Sequence, residues 1–336
     1  MKKQRQIFSD GDSIYIVGED DFEPKHIFEN GQAFRWEEKD GAYTIVAGGY
    51  ISVVKRLSAD EILQELTQRP DLLALPIDPA SEKRSISDLS PGVFPSVIKL
   101  KGAGTMDDYE NFWRHYFDMD RDYKKLRREF SKLDPHLKAA VRFGTGFRLL
   151  DQDLFEMIIS FIISSNNNIT RIKNTVSKLC ALAGDPIGPH EGKTYYRFPT
   201  PENIARISAE RITKDTGAGY RGGYIQKTAQ LIADGAIDLQ AIRKMSYEDA
   251  HAELLKLHGV GPKVADCILL FGNSMDIAFP VDTWVIKLMN HFYLGQEKNM
   301  KKIKMKGIEL FGEKAGLAQQ YLFYYARENK IGSKLK

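Results

Sequence analysis

Leu257-His258-Gly259-Val260-Gly261-Pro262-Lys263-Val264-Ala265-Asp266-Cys267, followed at a short distance by Pro280-Val281-Asp282, is the stretch that decides the fold. Gly259 and Gly261 permit positive φ and the close approach of a foreign backbone. Pro262 suits the first position of a helix, where its missing N–H costs nothing. Upstream, Ser246-Tyr247-Glu248-Asp249 has the form of a capping box and starts a helix that ends near Leu257. Leu254, Leu257, Val260, Val264, Ile268 and Leu269 can supply the apolar contacts between the two helices. The pattern predicts a helix-hairpin-helix over 246–271, a device that grips a DNA phosphate through backbone amides without reading sequence.

Lys263 breaks a local rule, because a helix N-terminus carries partial positive charge and disfavours a cation. Broken rules of this kind tend to mark working sites. The orphan N–H groups there can hold a phosphate. The dipole and partial burial should also ease loss of the lysine proton, which makes the amine a nucleophile. The expectation is an amine lowered by a few units from its ordinary value of about 10.4. Asp282 opens the next helical pattern, 283–293, and is first of all an N-cap. A carboxylate after a hairpin lysine also suits a second role, stabilising positive charge on a deoxyribose ring as a glycosidic bond breaks. The hairpin alone fits catalysis and passive DNA binding equally; Asp282 tips the reading toward catalysis.

The rest of the chain fits around this hairpin. Its 336 residues are 43% hydrophobic and 28% charged, enough for two domains and a sizeable core. A net charge of +3 allows an anionic partner without demanding one. Two cysteines, Cys180 and Cys267, cannot build a disulfide framework or a four-cysteine metal site, and a reduced setting is expected. No apolar run reaches membrane-spanning length, and the basic N-terminus lacks the apolar core of a signal peptide. A prokaryotic cytoplasm, with the protein at the nucleoid, is the expected location.

Short β-rich runs at 13–17, 34–36, 42–46 and 50–54 are separated by Asn30-Gly31, Asp40-Gly41 and Gly48-Gly49, as in an antiparallel sheet. Ser58-Ala59-Asp60-Glu61 opens a helix with a capping box. Five prolines between 69 and 95 punctuate an irregular connection. From about Thr105 the apolar spacing is helical almost to the end. The predicted class is α+β: an N-terminal antiparallel β-sheet domain with flanking helices, 1–105, and a larger all-helical region, 106–336.

Read together, these motifs resemble the helix-hairpin-helix DNA glycosylases, and within them the 8-oxoguanine DNA glycosylase/lyase branch. The likeness runs in order through Asn30-Gly31-Gln32-Ala33-Phe34-Arg35-Trp36, Phe147-Arg148-Leu149-Leu150-Asp151-Gln152-Asp153 and Ser164-Ser165-Asn166-Asn167-Asn168-Ile169. It continues through Gly219-Tyr220-Arg221, the hairpin, Pro280-Val281-Asp282 and Ala318-Gln319-Gln320-Tyr321-Leu322-Phe323. The resemblance implies that an extruded damaged base is displaced by Lys263 with formation of a Schiff base, and that β-elimination follows. It implies a Gly31 carbonyl facing the N7–H that distinguishes 8-oxoguanine from guanine. Gln319 would read the Watson–Crick edge, between Phe323 and Cys267 on the two faces of the base. It further implies Asn166, Arg171 and Arg221 around the opposite cytosine, and Tyr220 as the wedge that fills the gap. The hairpin amides around Gly259, Gly261 and Lys263 would hold the backbone.

Cys267 lies four residues after Lys263 on the same helical face, so a thiolate–ammonium pair is one expectation. His258 and Trp284 depart from the family, which often has proline and, in eukaryotic members, histidine at these positions. The run Lys298, Lys301, Lys302, Lys304 and Lys306 could add nonspecific attraction to DNA. No cofactor and no metal are expected, and two cysteines cannot hold the iron–sulfur cluster of the related pyrimidine and adenine branches. The expected partner is double-stranded DNA containing 8-oxoguanine opposite cytosine, bound by a monomer. Two readings stay open beside this one: a glycosylase for another damaged base, alkylated or oxidised, and a DNA-binding module without catalysis.

Overall fold

The computed structural model describes residues 5–68 and 96–331; the proline-rich stretch 69–95 lies outside the described residues. An antiparallel six-stranded sheet forms the first part. Its strands are β1 (Gln6–Ser9), β2 (Ser13–Val17), β3 (Trp36–Lys39), β4 (Ala42–Ala47), β5 (Tyr50–Arg56) and β6 (Val97–Lys101). They lie in the order β1-β2-β6-β5-β4-β3. Asp40-Gly41 and Gly48-Gly49 close the two hairpins of β3, β4 and β5, all four at positive φ between 53° and 87°, as two-residue hairpin turns require. Asn30-Gly31 does not join two strands. A short helix, Pro24–Phe28, stands between β2 and β3, and Asn30-Gly31 follows it.

The sheet buries one face on Phe22, Ile27 and Phe28 and on Tyr109, Trp113, Tyr116 and Phe117. The helical segment after Thr105 therefore packs into the sheet's own core, and Trp113 donates from Nε1 to the Ala103 carbonyl at 2.8 Å. The opposite face is covered by Ile62 and Leu66 from the helix Ala59–Gln68. That helix starts with the expected box: Ser58 N–H donates to Glu61 at 2.9 Å, and Glu61 N–H to the Ser58 hydroxyl at 3.3 Å.

The rest is a helical body around the helix Leu154–Ser164, in which every residue through Ile163 except Glu156 is buried. Such all-round apolarity marks a central helix. Ile158 and Ile159 are fully buried, and each contributes about 1.5–3 kcal/mol of transfer free energy. The hairpin's second helix, Pro262–Gly272, packs along this central helix. The C-terminal helix Ala315–Glu328 packs on Pro135–Phe143 and on Thr283–Met289.

The expectation of helices almost throughout this region needs one correction. Pro186–His190 and Lys193–Tyr196 form a two-stranded ribbon. Pro186, Gly188 and Pro189 mask its strand signal, since proline and glycine are depleted in strands. The ribbon serves the sheet: Lys193 pairs with Glu37 and Lys39 with Glu191, which covers the outer edge strand β3 and blunts it against foreign pairing. Both cysteines are free and buried.

Candidate active site

The hairpin turn forms for the reasons its residues suggest. Gly259 sits at φ +80°, and a Cβ there would lie 2.8 Å from the Tyr224 ring. Gly261 caps the second helix without a side-chain bond, Pro262 occupies its first position, and the space around Gly261 is open. The N–H groups of that first turn therefore face outward, ready for an anion. Gly259→Ala should destabilise the protein by about 1–2 kcal/mol from the left-handed backbone alone. Urea unfolding would measure that loss, with a parallel weakening of duplex binding.

Lys263 follows in the first turn and reaches into a cleft of about 590 Å³. Around its amine stand Cys267 from the same helix, Asp282, and the Phe161 ring, whose centroid is 5.6 Å away. Asp282 is the N-cap of Thr283–Met289, with one oxygen accepting from Val285 N–H at 2.7 Å. Gly31 lines the cleft from the sheet side at φ +91°. Asn30 holds that turn, donating to His26 O at 2.7 Å and accepting from Gln32 N–H at 3.1 Å. Gln319 and Phe323 line it from the C-terminal helix and Trp284 from the helix after Asp282. Of the residues expected to surround an extruded base, Gly31, Lys263, Cys267, Asp282, Gln319 and Phe323 thus share one wall-to-wall cavity.

The charge state of the amine differs from the expectation. Burial pulls Lys263 down, but the negative charges of Cys267 and Asp282 and a hydrogen bond to the sulfur outweigh it, and the amine rests above its ordinary value. The thiolate–ammonium pair is corrected as well. Burial pushes the Cys267 thiol up to about 11 despite the help of Lys263. The thiol is therefore neutral near pH 7, so the larger of the two pulls on the amine, that of a Cys267 thiolate, is absent there and the smaller one, from Asp282, remains. Sequence spacing could not reveal this, because Asp282 reaches the lysine only through the fold.

A second cluster lies beside the cleft. Asn166, exposed at φ +49°, forms the tip of the polar loop. Asn167 donates to Ile163 O at 3.1 Å, and Asn168 caps the helix Ile169–Ala183. Arg171 is exposed on the first turn of that helix. Tyr220 projects with 60% of its surface exposed. Arg221 is not the exposed arginine that base reading suggested. It is 6% exposed, and its guanidinium donates to the carbonyls of Ser165, Asn166 and Ala218. In this structure it braces the asparagine loop.

Three groups escaped the sequence reading. Gln320 lines the cleft beside Gln319. Arg327, also in the cleft wall, lies 5.6 Å from the centre of the Phe323 ring. Asp266, buried one turn past Lys263, binds Lys304 at 2.7 Å and Tyr247. That contact removes Lys304 from the basic run, and Lys302 and Lys306 pair with Glu297 and Glu309. Lys298 and Lys301 remain at the flank of the hairpin.

The comparisons agree with this geometry. Residues 14–158 match the family described as 8-oxoguanine DNA glycosylase, N-terminal domain. Residues 159–313 match the HhH-GPD superfamily base excision DNA repair protein. A probable N-glycosylase/DNA lyase of Methanothermobacter thermautotrophicus is 34% identical over 66% of this chain and 74% of its own length. The N-glycosylase/DNA lyase of Saccharomyces cerevisiae is 30% identical over 84% of this chain and 71% of its own. The solved 8-oxoguanine glycosylase/lyase of Clostridium acetobutylicum, in complex with duplex DNA bearing cytosine opposite 8-oxoG, is 36% identical. It superimposes with a TM-score of 0.82 over 98% of this chain and all of that one. The fold and the hairpin site define the class, a helix-hairpin-helix base excision glycosylase; within it, the chain belongs to the 8-oxoguanine DNA N-glycosylase/lyase family.

Proposed function

We propose that the protein excises 8-oxoguanine from duplex DNA, with cytosine as the preferred opposing base, and then nicks the abasic strand. The observation that carries this reading is the Lys263 amine facing Asp282 inside a cleft walled by Gly31, Gln319 and Phe323. The hairpin amides hold the backbone phosphate, and the lesion rotates into the cleft. Amide and aromatic groups then hold it: Phe323 lies along one face and Cys267 on the other, while the Gly31 carbonyl accepts from N7–H. Asn166, Arg171, Arg221 and the Tyr220 wedge attend to the widowed cytosine. The protein acts as a monomer, in a prokaryotic cytoplasm.

Chemistry begins with a proton leaving Lys263. The free amine attacks C1′, the C1′–N9 bond breaks, and the electron pair leaves with the base, which takes up a proton. Asp282 offsets the positive charge that grows on the sugar. The sugar ring opens to a protonated Schiff base. Loss of a C2′ proton then expels the 3′ phosphate and nicks the strand. Duplex DNA bearing 8-oxoguanine opposite cytosine, treated with borohydride, should yield a covalent adduct. Trapping only on an oxidised pyrimidine would assign another substrate, and base release without an adduct would assign a water-based enzyme.

Because the resting amine lies above its ordinary value, only a small fraction is free at pH 7. The free fraction grows as pH rises toward that value. Single-turnover excision should therefore climb roughly tenfold per pH unit between pH 7 and 9. A flat profile over that range would show that the proton is lost before the limiting step.

A further inference from the structure

Gln319 and Gln320 are neighbours in the C-terminal helix, yet both are buried, at 2% and 4% exposure. Glutamine is mostly an exposed residue, so a buried adjacent pair needs a reason. Gln320 donates from Nε2 to Oε1 of Gln319 at 3.0 Å. An amide has one accepting end and one donating end. With its oxygen turned to Gln320, Gln319 must turn its amine the other way. The Oε1 of Gln320 is sealed from solvent and has no partner among the described residues. Buried polar atoms are nearly always paired. Gln320 lines a cleft that also holds Lys263, Cys267 and Phe323, so a turn of its side chain toward that cleft brings the orphaned acceptor to a donor from outside the chain.

We infer that Gln320 is a specificity-determining residue: its amine fixes the Gln319 amide, and its Oε1 accepts an N–H from the Watson–Crick edge of the extruded base. This rests on the functional reading above and deepens it. The pair offers a donor from Gln319 next to an acceptor from Gln320. A guanine-type edge carries the C6 carbonyl acceptor next to the N1–H donor, which complements that order. An adenine-type edge carries an amino donor next to the N1 acceptor, the reverse. Turning N7–H toward the Gly31 carbonyl fixes the orientation of the base, so the reversed edge cannot be accommodated by flipping it.

Single-turnover excision from duplexes bearing 8-oxoguanine or 8-oxoadenine, set beside cleavage of an abasic-site duplex, tests this. An abasic site has no base edge to read. For Gln320→Met, excision of 8-oxoguanine should fall about tenfold or more relative to abasic cleavage, and the preference over 8-oxoadenine should shrink by a similar factor. Gln320→Glu keeps an acceptor and loses the donor to Gln319 when ionised. Its excision, normalised to abasic cleavage, should recover toward wild type as pH falls and the carboxyl regains a proton; this variant carries the test if the methionine variant does not fold. Excision and abasic cleavage falling in parallel would overturn the inference, as would an unaltered base preference. A wild type that neither excises nor forms an adduct with 8-oxoguanine would overturn the functional reading itself, and the inference with it.

Discussion

Replacing Lys263 by glutamine should abolish the trapped adduct and reduce both excision and abasic-site nicking by about 10³-fold or more, since the variant removes the amine proposed to bond with C1′. The fold should survive. Lys263 is half-buried at the second position of its helix, where the Pro262 ring and the glycine turn set the backbone. Glutamine nearly matches the length of the chain and removes a cation from a helix N-terminus, which relieves an unfavourable dipole interaction. Thermal unfolding should therefore shift little, and binding of the duplex through the hairpin amides should persist. Residual excision at a tenth of wild type, without an adduct, would mean that water activated at Asp282 performs the displacement.

The second large effect separates the two roles of Asp282. Asparagine and aspartate cap helices about equally well, so Asp282→Asn should preserve the bond from Val285 N–H and leave stability nearly unchanged. It removes the negative charge beside the amine and the sugar, and excision should fall about 10²- to 10³-fold. It should also shift the pH profile toward lower pH, because that charge, after the Cys267 sulfur, is the second group that favours the protonated Lys263 amine. Asp282→Ala should lose the cap as well, at a further cost of about 1 kcal/mol in stability. Comparing the two variants by denaturant unfolding and single-turnover rates distinguishes capping from catalysis. An asparagine variant with normal rates would reduce Asp282 to a cap.

The hairpin was legible because its information is local. Glycine at positive φ, proline at the first helical position and a capping Asp282 each follow from backbone chemistry within a few residues. Gln319 and Phe323 came from the family resemblance; their four-residue spacing added only that they share a helical face. Strand β6 was not legible, since its pairing with β2 and β5 joins segments far apart in the chain, and β1, paired locally with β2, is only four residues long, too short to show an alternation. The ribbon at Pro186–Tyr196 hid behind its prolines. The protonation states of Lys263 and Cys267 depend on burial and on the approach of Asp282, neither of which periodicity reports. The burial of Arg221 was hidden for the same reason: its type suggested an exposed side chain, whereas its guanidinium also holds the carbonyls of Ser165 and Asn166. Gln320 was concealed by its neighbour, because nothing in a Gln-Gln pair says that both side chains turn inward.

Excision depends on one nitrogen bonding to one carbon, and mapping that bond is the most direct test. The borohydride-reduced complex of the wild-type protein with an 8-oxoguanine:cytosine duplex should be digested and its DNA-bearing peptide identified by mass spectrometry. The adduct should lie on Lys263. An adduct on any other lysine or on the N-terminal amine would contradict the account.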